Sequence, residues 1–408
     1  MTEPRTRICI LGGGFGGLYT ALRLSKLPWT TPDAPIITLV DQGDRFLFTP
    51  LLYELLTGEL QTWEIAPPFE ELLAHTGIHF HQSGVKAIAI DQQRATLGDG
   101  TILPYDRLVL ALGGDTPLNT TPGVKDHAIP FRSLDDAYRL QERLRQLESS
   151  DADKIRIAVV GGGYSGVELA CKLAERLPAR GRIRLIERGT EILKRSPDYN
   201  RQVARQALSD LGVWLDLETS VEAITADTLS LRYRDQVDTL PVDIVLWTVG
   251  TCVNSLVQSL PLPRNQQQQI KVTPTLQVVD HDQIYALGDL ADCRDAEGQQ
   301  IPATAQAALQ QADYAGWNIW ATLTERPLLP FRYQHLGEMM TLGTDRATLT
   351  GLGLNLEGLP AHLARRLAYL YRMPTLEPIQ IRVGAQLVWV GALQKICWSG
   401  IGKHVCSL

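Results

Sequence analysis

The six cysteines of this 408-residue chain, Cys9, Cys171, Cys252, Cys293, Cys397 and Cys406, include no C-x-x-C pair and no zinc-type spacing. That pattern speaks against a disulfide framework or a metal centre, and no metal is expected. Long hydrophobic runs are also missing. The best apolar stretch near the C-terminus, Val383 to Gln394, is twelve residues long before Lys395 interrupts it, too short to cross a bilayer. Basic charge is not in excess either: the net charge of -6 argues against a general nucleic-acid binder. Met1–Arg5 lacks the charged-then-apolar order of a secretion signal, so a reducing compartment is the expectation. What is present is 44% hydrophobic and 21% charged residues, the composition of a globular protein of two or three domains. Charge is unevenly placed. From Pro360 on, Arg365, Arg366, Arg372, Arg382, Lys395 and Lys403 face only Glu377, a balance of +5 that leaves -11 for the first 359 residues. Such asymmetry points to a surface or membrane partner for one end of the chain.

The most informative segment is Arg7-Ile8-Cys9-Ile10-Leu11-Gly12-Gly13-Gly14-Phe15-Gly16-Gly17-Leu18, an apolar run that breaks into glycines and resumes with helical character. It reads as strand, turn and helix, a cradle for a pyrophosphate. Gly12 serves the tight turn, Gly14 the close approach of backbone to phosphate, and Gly17 the packing of helix on strand. The next strand pattern, Pro35 to Val40, ends at Asp41, a carboxylate placed to accept from a ribose hydroxyl. The construction returns at Ile155–Ala170 with Gly161, Gly163 and Gly166, 149 residues after the first. Its following strand closes on Glu187, 21 residues past Gly166. Arg188 comes next, and an arginine there can receive a 2′-phosphate, so the pattern leaves NADH and NADPH both open. Two such units imply two bound dinucleotides and electron transfer between them.

Further segments resemble those of the two-dinucleotide-binding-domain flavoproteins. Tyr105–Gly114 is similar to the strand and turn leaving the flavin domain, Val242–Gly250 to its counterpart in the nicotinamide domain, and Gln283–Asp289 to the second flavin motif. The absence of paired cysteines speaks against the thiol-chemistry branches. With Phe46–Leu52 and Pro302–Gln311, nearly the full chain resembles the type II NAD(P)H:quinone oxidoreductases, most of all their cyanobacterial and plastid branch, which includes demethylphylloquinone reductases.

The resemblance implies an α/β fold of two Rossmann-like domains: FAD bound by 1–115 and 255–325, NAD(P)H by 116–254, and a C-terminal quinone- and membrane-facing region over 326–408. It implies FAD at Gly12, Gly14, Phe15, Gly16, Gly17, Asp41, Val85, Gly113, Asp289 and Ala305. The nicotinamide nucleotide falls to Gly161, Gly163, Tyr164, Ser165, Gly166, Glu187, Arg188 and Gly250. Pro50, Ala305, Gln306 and Gln310 are the quinone positions, and Glu168 and Gln306 the candidates nearest the chemistry. The activity implied passes a hydride from NADH or NADPH to FAD and two electrons to a membrane quinone, a demethylnaphthoquinone among the candidates, without proton pumping. The same fold serves soluble reductases of ferredoxin- or rubredoxin-type proteins and redox signalling proteins of the apoptosis-inducing-factor type, which stand as the alternatives.

A lipid-soluble acceptor requires contact with a membrane. Over Pro360–Met373 a helix is expected with Leu363, Leu367, Leu370 and Tyr371 on one face and its arginines beside or opposite, the pattern of a basic amphipathic anchor. Val383, Ala385, Leu387 and Trp389 alternate as a strand would. The reading is of a peripheral protein on the cytoplasmic side of a plasma or thylakoid membrane, compatible with a homodimer and with no nucleic-acid partner.

Overall fold

The structure, a computed structural model, describes residues 5–30, 34–295 and 298–374. They divide into two compact units. The first comprises residues up to Thr49, Gln61–Thr120 and Val249–His335. Its centre is the strand Arg7–Leu11, in which Ile8, Cys9, Ile10 and Leu11 are buried. Such an apolar run suits a strand covered on both faces. Parallel neighbours are Ile36–Asp41 and Arg107–Leu110, with Ile10 opposite Leu39 and Val109. His79–Gln82 and His281–Ala286 extend the parallel pairing on either side, and Gln277–Val278 closes one edge antiparallel. The helices Phe15–Ser25 and Ala305–Leu323 pack together; Gly316 permits it, since a Cβ there would stand 2.7 Å from Arg23 Cγ. A three-stranded antiparallel sheet, Val85–Ala89, Arg94–Leu97 and Ile102–Pro104, belongs to this unit too.

The second unit takes Pro50–Leu60, Thr121–Thr248 and the residues from Leu336 on. Its parallel sheet repeats the first design around Ile155–Val160, between Gly181–Ile186 and Ile244–Trp247, with Trp214–Asp216 and Ala128–Pro130 outermost. Here as well an antiparallel triplet follows, Thr219–Ile224, Thr228–Tyr233 and Gln236–Pro241. The helix Leu134–Glu148 opens on a capping box, Ser133 Oγ accepting from Asp136 N while Asp136 Oδ2 accepts from Ser133 N.

Residues 336–374 are part of this second unit and not a region of their own, and Pro50–Leu60 joins them there. A hairpin sheet, Glu338–Thr341, Ala347–Gly351 and Leu354–Glu357, leads into the helix Gly358–Arg372. The helix stops where it should: Met373 precedes Pro374, whose ring disfavours helical backbone in the residue before it, and Met373 is extended.

This helix corrects the placement of two of the expected basic flanks, Arg365 and Arg366. Arg365 is wholly buried and Arg366 partly so, whereas Leu367 and Tyr371 are 49% and 73% exposed. Arg365 and Arg366 turn inward because three carboxylates wait on the facing segments, while Leu367 and Tyr371 turn outward and Leu363 and Leu370 are half-buried. The strand expected around Val383–Trp389, with Arg382, Lys395 and Lys403, lies outside the described residues.

Candidate active site

Both glycine turns fold as cradles, and their geometries match. Gly12 and Gly161 hold φ of +103° and +111°, open to glycine and strained for other residues. A Cβ on Gly17 would stand 1.8 Å from Gly12 O, and one on Gly166 the same distance from Gly161 O. Helix and turn are therefore in contact. Gly14 and Gly163 are different: a Cβ at either would meet no heavy atom within 4 Å. Each lies at the N-cap of its helix, Phe15–Ser25 or Tyr164–Arg176, where backbone N–H groups favour an anion. That open space beside a helix N-terminus is what a dinucleotide's pyrophosphate requires, so both cradles fit the group the sequence implies.

Each second strand supplies a carboxylate, held the same way twice. Asp41 Oδ2 accepts from Gly13 N at 2.6 Å and Oδ1 from Gly43 N at 2.8 Å. Burial pushes the Asp41 pKa up, against the pull of these N–H groups. Glu187 Oε2 accepts from Gly162 N at 2.7 Å and Oε1 from Gly189 N at 2.6 Å. Arg188 is exposed beside it.

Around the first cradle, Phe15 packs edge-on against Phe46 and Phe48, and Gly16 is buried in the helix. Val85 is half-buried at the start of its strand, and Gly113 has a φ of +69°. Asp289 sits in the short turn Gly288–Leu290, pinned by Gly288 N donating to the buried Gln311 Oε1 at 2.8 Å and by Gln269 Nε2 donating to Asp289 O at 3.0 Å. Ala305 begins its helix, capped by Thr304 Oγ1, which accepts from Ala307 N. Gln306 Oε1 accepts from Tyr333 OH at 2.9 Å. Gln310 ties its helix to the following loop, its amide donating to Gln334 O and accepting from Gln334 N. Gly250, expected with the nicotinamide domain, belongs to the first unit, where its open φ of +73° brings it near Pro117.

In the second unit Tyr164 OH donates to Glu338 and accepts from Ser196 Oγ, and Ser165 Oγ accepts from Tyr53 OH at 2.9 Å. Glu168 is 6% exposed; its Oε1 accepts from Thr341 N at 2.9 Å and lies 3.7 Å from Arg365 Nη2. Burial pushes its pKa up to about 7, with Arg365 and the Thr341 N–H opposing.

Around Glu168 lies a cluster that the sequence reading missed. Arg365 Nη1 donates to Glu54 Oε1 at 2.5 Å and Nη2 to Pro50 O at 2.7 Å. Lys172, fully buried, pairs with Glu59, which also accepts from Arg366 at 2.9 Å. Three cations thus meet three carboxylates. Burial alone would raise the Glu54 pKa, but Arg365, Lys172 and Arg366 outweigh it and hold this carboxyl below its usual value. The one hint in the sequence is the arginine pair at 365–366, which reads more naturally as a solvated face.

Comparison with known proteins agrees with this geometry. The pyridine nucleotide-disulphide oxidoreductase family profile matches residues 6–312. The demethylphylloquinone reductase of Synechocystis sp. is 60% identical, over 94% of this chain and 96% of its own. The alternative NAD(P)H-ubiquinone oxidoreductase C1 of Arabidopsis thaliana is 45% identical, over 91% and 79%. Among solved structures, the NDH2 of Plasmodium falciparum in complex with NADH superposes with a TM-score of 0.84 at 17% identity, covering 97% of this chain and 99% of that one. The chain belongs to the pyridine nucleotide-disulphide oxidoreductase family and, within it, to the type II NAD(P)H:quinone oxidoreductases.

Proposed function

We propose that this enzyme oxidises NADH or NADPH held on the Gly161–Gly166 cradle, carries FAD on the Gly12–Gly17 cradle, and reduces a demethylnaphthoquinone. The observation that supports this most is the pair of open cradles at Gly14 and Gly163, each completed by a doubly held carboxylate. The quinone class rests on the similarity to the Synechocystis reductase. Bound FAD would supply the chemistry of accepting a hydride and passing two electrons on. The chain's own part is to bind and orient. Gly14 N-caps a helix that faces the pyrophosphate, Asp41 is placed for the ribose of the dinucleotide and Asp289 for its ribityl and pyrophosphate end. Ala305, Gln306 and Gln310, all in the first unit, are positions proposed for the quinone. Purified protein is expected to show a flavin spectrum and to reduce demethylated naphthoquinones with NADH or NADPH; a protein without flavin overturns the reading.

Glu187 is proposed to accept from the adenosine 2′-hydroxyl. Its carboxylate is fixed by two backbone N–H groups and would repel a 2′-phosphate. Glu187→Gln is expected to lower the NADH/NADPH ratio of kcat/KM by roughly tenfold or more, the scale of a hydrogen bond to a charged group. A ratio that stays put removes Glu187 from specificity.

Among the described residues no helix is long and apolar enough to cross a membrane. The proposed lipid-facing surface is instead the outer side of the C-terminal hairpin and helix, where Leu352, Leu354, Leu359, Leu367 and Tyr371 are exposed. Each apolar side chain buried in lipid contributes ~1.5–3 kcal/mol. Leu367→Glu combined with Tyr371→Glu is expected to cut flotation with phospholipid vesicles by roughly tenfold or more while stability moves by under ~0.5 kcal/mol per site. Undiminished flotation counts against this surface.

A further inference from the structure

Two buried carboxylates in the second unit share one guanidinium unequally. Arg365 comes within 2.5 Å of Glu54 and donates a second time to the Pro50 carbonyl at 2.7 Å, but stands 3.7 Å from Glu168. At the first two distances the contact is a charge-assisted hydrogen bond; at the third only Coulomb attraction remains. Glu54 and the Pro50 carbonyl belong to one short segment, so both hold the guanidinium toward the same side. Without Glu54, the nearest carboxylate to that cation is Glu168.

We infer that Glu54 is a positioning residue: by taking Arg365 into a short ion pair, it keeps the guanidinium from closing on Glu168 and leaves that carboxyl without a full partner. The inference rests on the reading that Glu168, on the helix that follows the nicotinamide cradle, lies near the chemistry, and assigns what governs it. Among the described residues, the charged and titratable groups that act on Glu168 fit this division. Tyr164, Cys171 and Lys172 face it from its own helix, Tyr53 and Glu54 from the 50–60 segment, and Arg365 and Tyr369 from the C-terminal helix. Burial pushes the three tyrosines and the thiol upward, away from neutrality. Glu54 is held ionised by its cations. Glu168, near 7, is the member placed to change its protonation in the neutral range, and quinone reduction takes up protons.

The test follows the infrared band of the protonated Glu168 carboxyl in the intact flavoprotein. In the parent, the band is expected to vanish with a midpoint near 7, and Glu168→Gln removes it. In Glu54→Gln the midpoint falls by roughly one pH unit or more, because the freed guanidinium moves to Glu168 and the negative charge that raises Glu168 is lost with it. Glu54→Asp keeps the charge but draws the carboxylate back by one methylene from Arg365, so the lowered midpoint expected there, between those of the parent and Glu54→Gln, reports the guanidinium's movement and decides the matter. A midpoint unchanged in Glu54→Asp overturns the positioning role, whatever Glu54→Gln shows. If the band shifts while the pH profile of NADH-dependent quinone reduction does not move with it, the positioning stands and the placement of Glu168 in the reaction fails.

Discussion

Arg365→Leu is expected to destabilise the second unit by about 3–5 kcal/mol, the largest stability effect foreseen for a single side chain here. The arginine is fully buried, and its removal leaves Glu54 charged and buried with Pro50 O also deprived of its donor. A leucine fills part of the volume but satisfies neither oxygen. The sign with pH is fixed by the carboxylates: stripped of their cation, Glu54 and Glu168 acquire raised folded-state pKa values. The destabilisation is greatest above those values and eases as pH falls and the groups protonate. Thermal melts of Arg365→Leu across the acid-to-neutral range check this. The double variant Arg365→Leu with Glu54→Gln is expected to recover part of the loss, because a neutral amide replaces the stranded charge. A melt of Arg365→Leu indistinguishable from the parent at neutral pH refutes the account.

The second large effect concerns the open cradle positions. Gly163→Val is expected to lower NADH-dependent turnover by roughly 100-fold or more, which corresponds to ~2.7 kcal/mol of lost binding or positioning. Flavin content should be unchanged. Gly14→Val is expected to do the reverse and yield protein largely free of flavin. At both positions an added Cβ meets no heavy atom within 4 Å, so the first carbon of the new side chain enters open space. This separates them from substitutions at Gly17 or Gly166, where a Cβ would collide with backbone at 1.8 Å. Flavin absorbance of the purified variants and steady-state oxidation of NADH distinguish the cases. If Gly163→Val keeps full activity, the second cradle is not the nicotinamide site.

The cradles were legible because each is local. Strand, turn, helix and closing acid lie within a few dozen residues, and every glycine answers a steric demand set by neighbours in sequence. The helix Gly358–Arg372 was legible as a helix for the same reason, from Pro360 in its first turn to Pro374 beyond its end. Its orientation was not. Which face of an amphipathic helix turns inward depends on what it meets, and Glu54 lies 311 residues from Arg365. Lys172 was hidden similarly, a basic residue in an apolar pattern whose partner Glu59 is 113 residues away. Nor did composition betray that residues 50–60 leave the first unit for the second.

The separation of Glu54 from Arg365 also sets an order of events during synthesis. At ~5–20 residues per second, roughly 15–60 s pass between the emergence of the carboxylate and that of its cation. Once the last strand of its parallel sheet, Ile244–Trp247, has emerged, the nascent second unit has Lys172 but still lacks Arg365 and Arg366, two of the three cations that its buried carboxylates meet in the native state. The unit therefore reaches its native state only after the ribosome has delivered the C-terminal helix, and a nascent chain halted before residue 365 would be the species most exposed to proteases and chaperones.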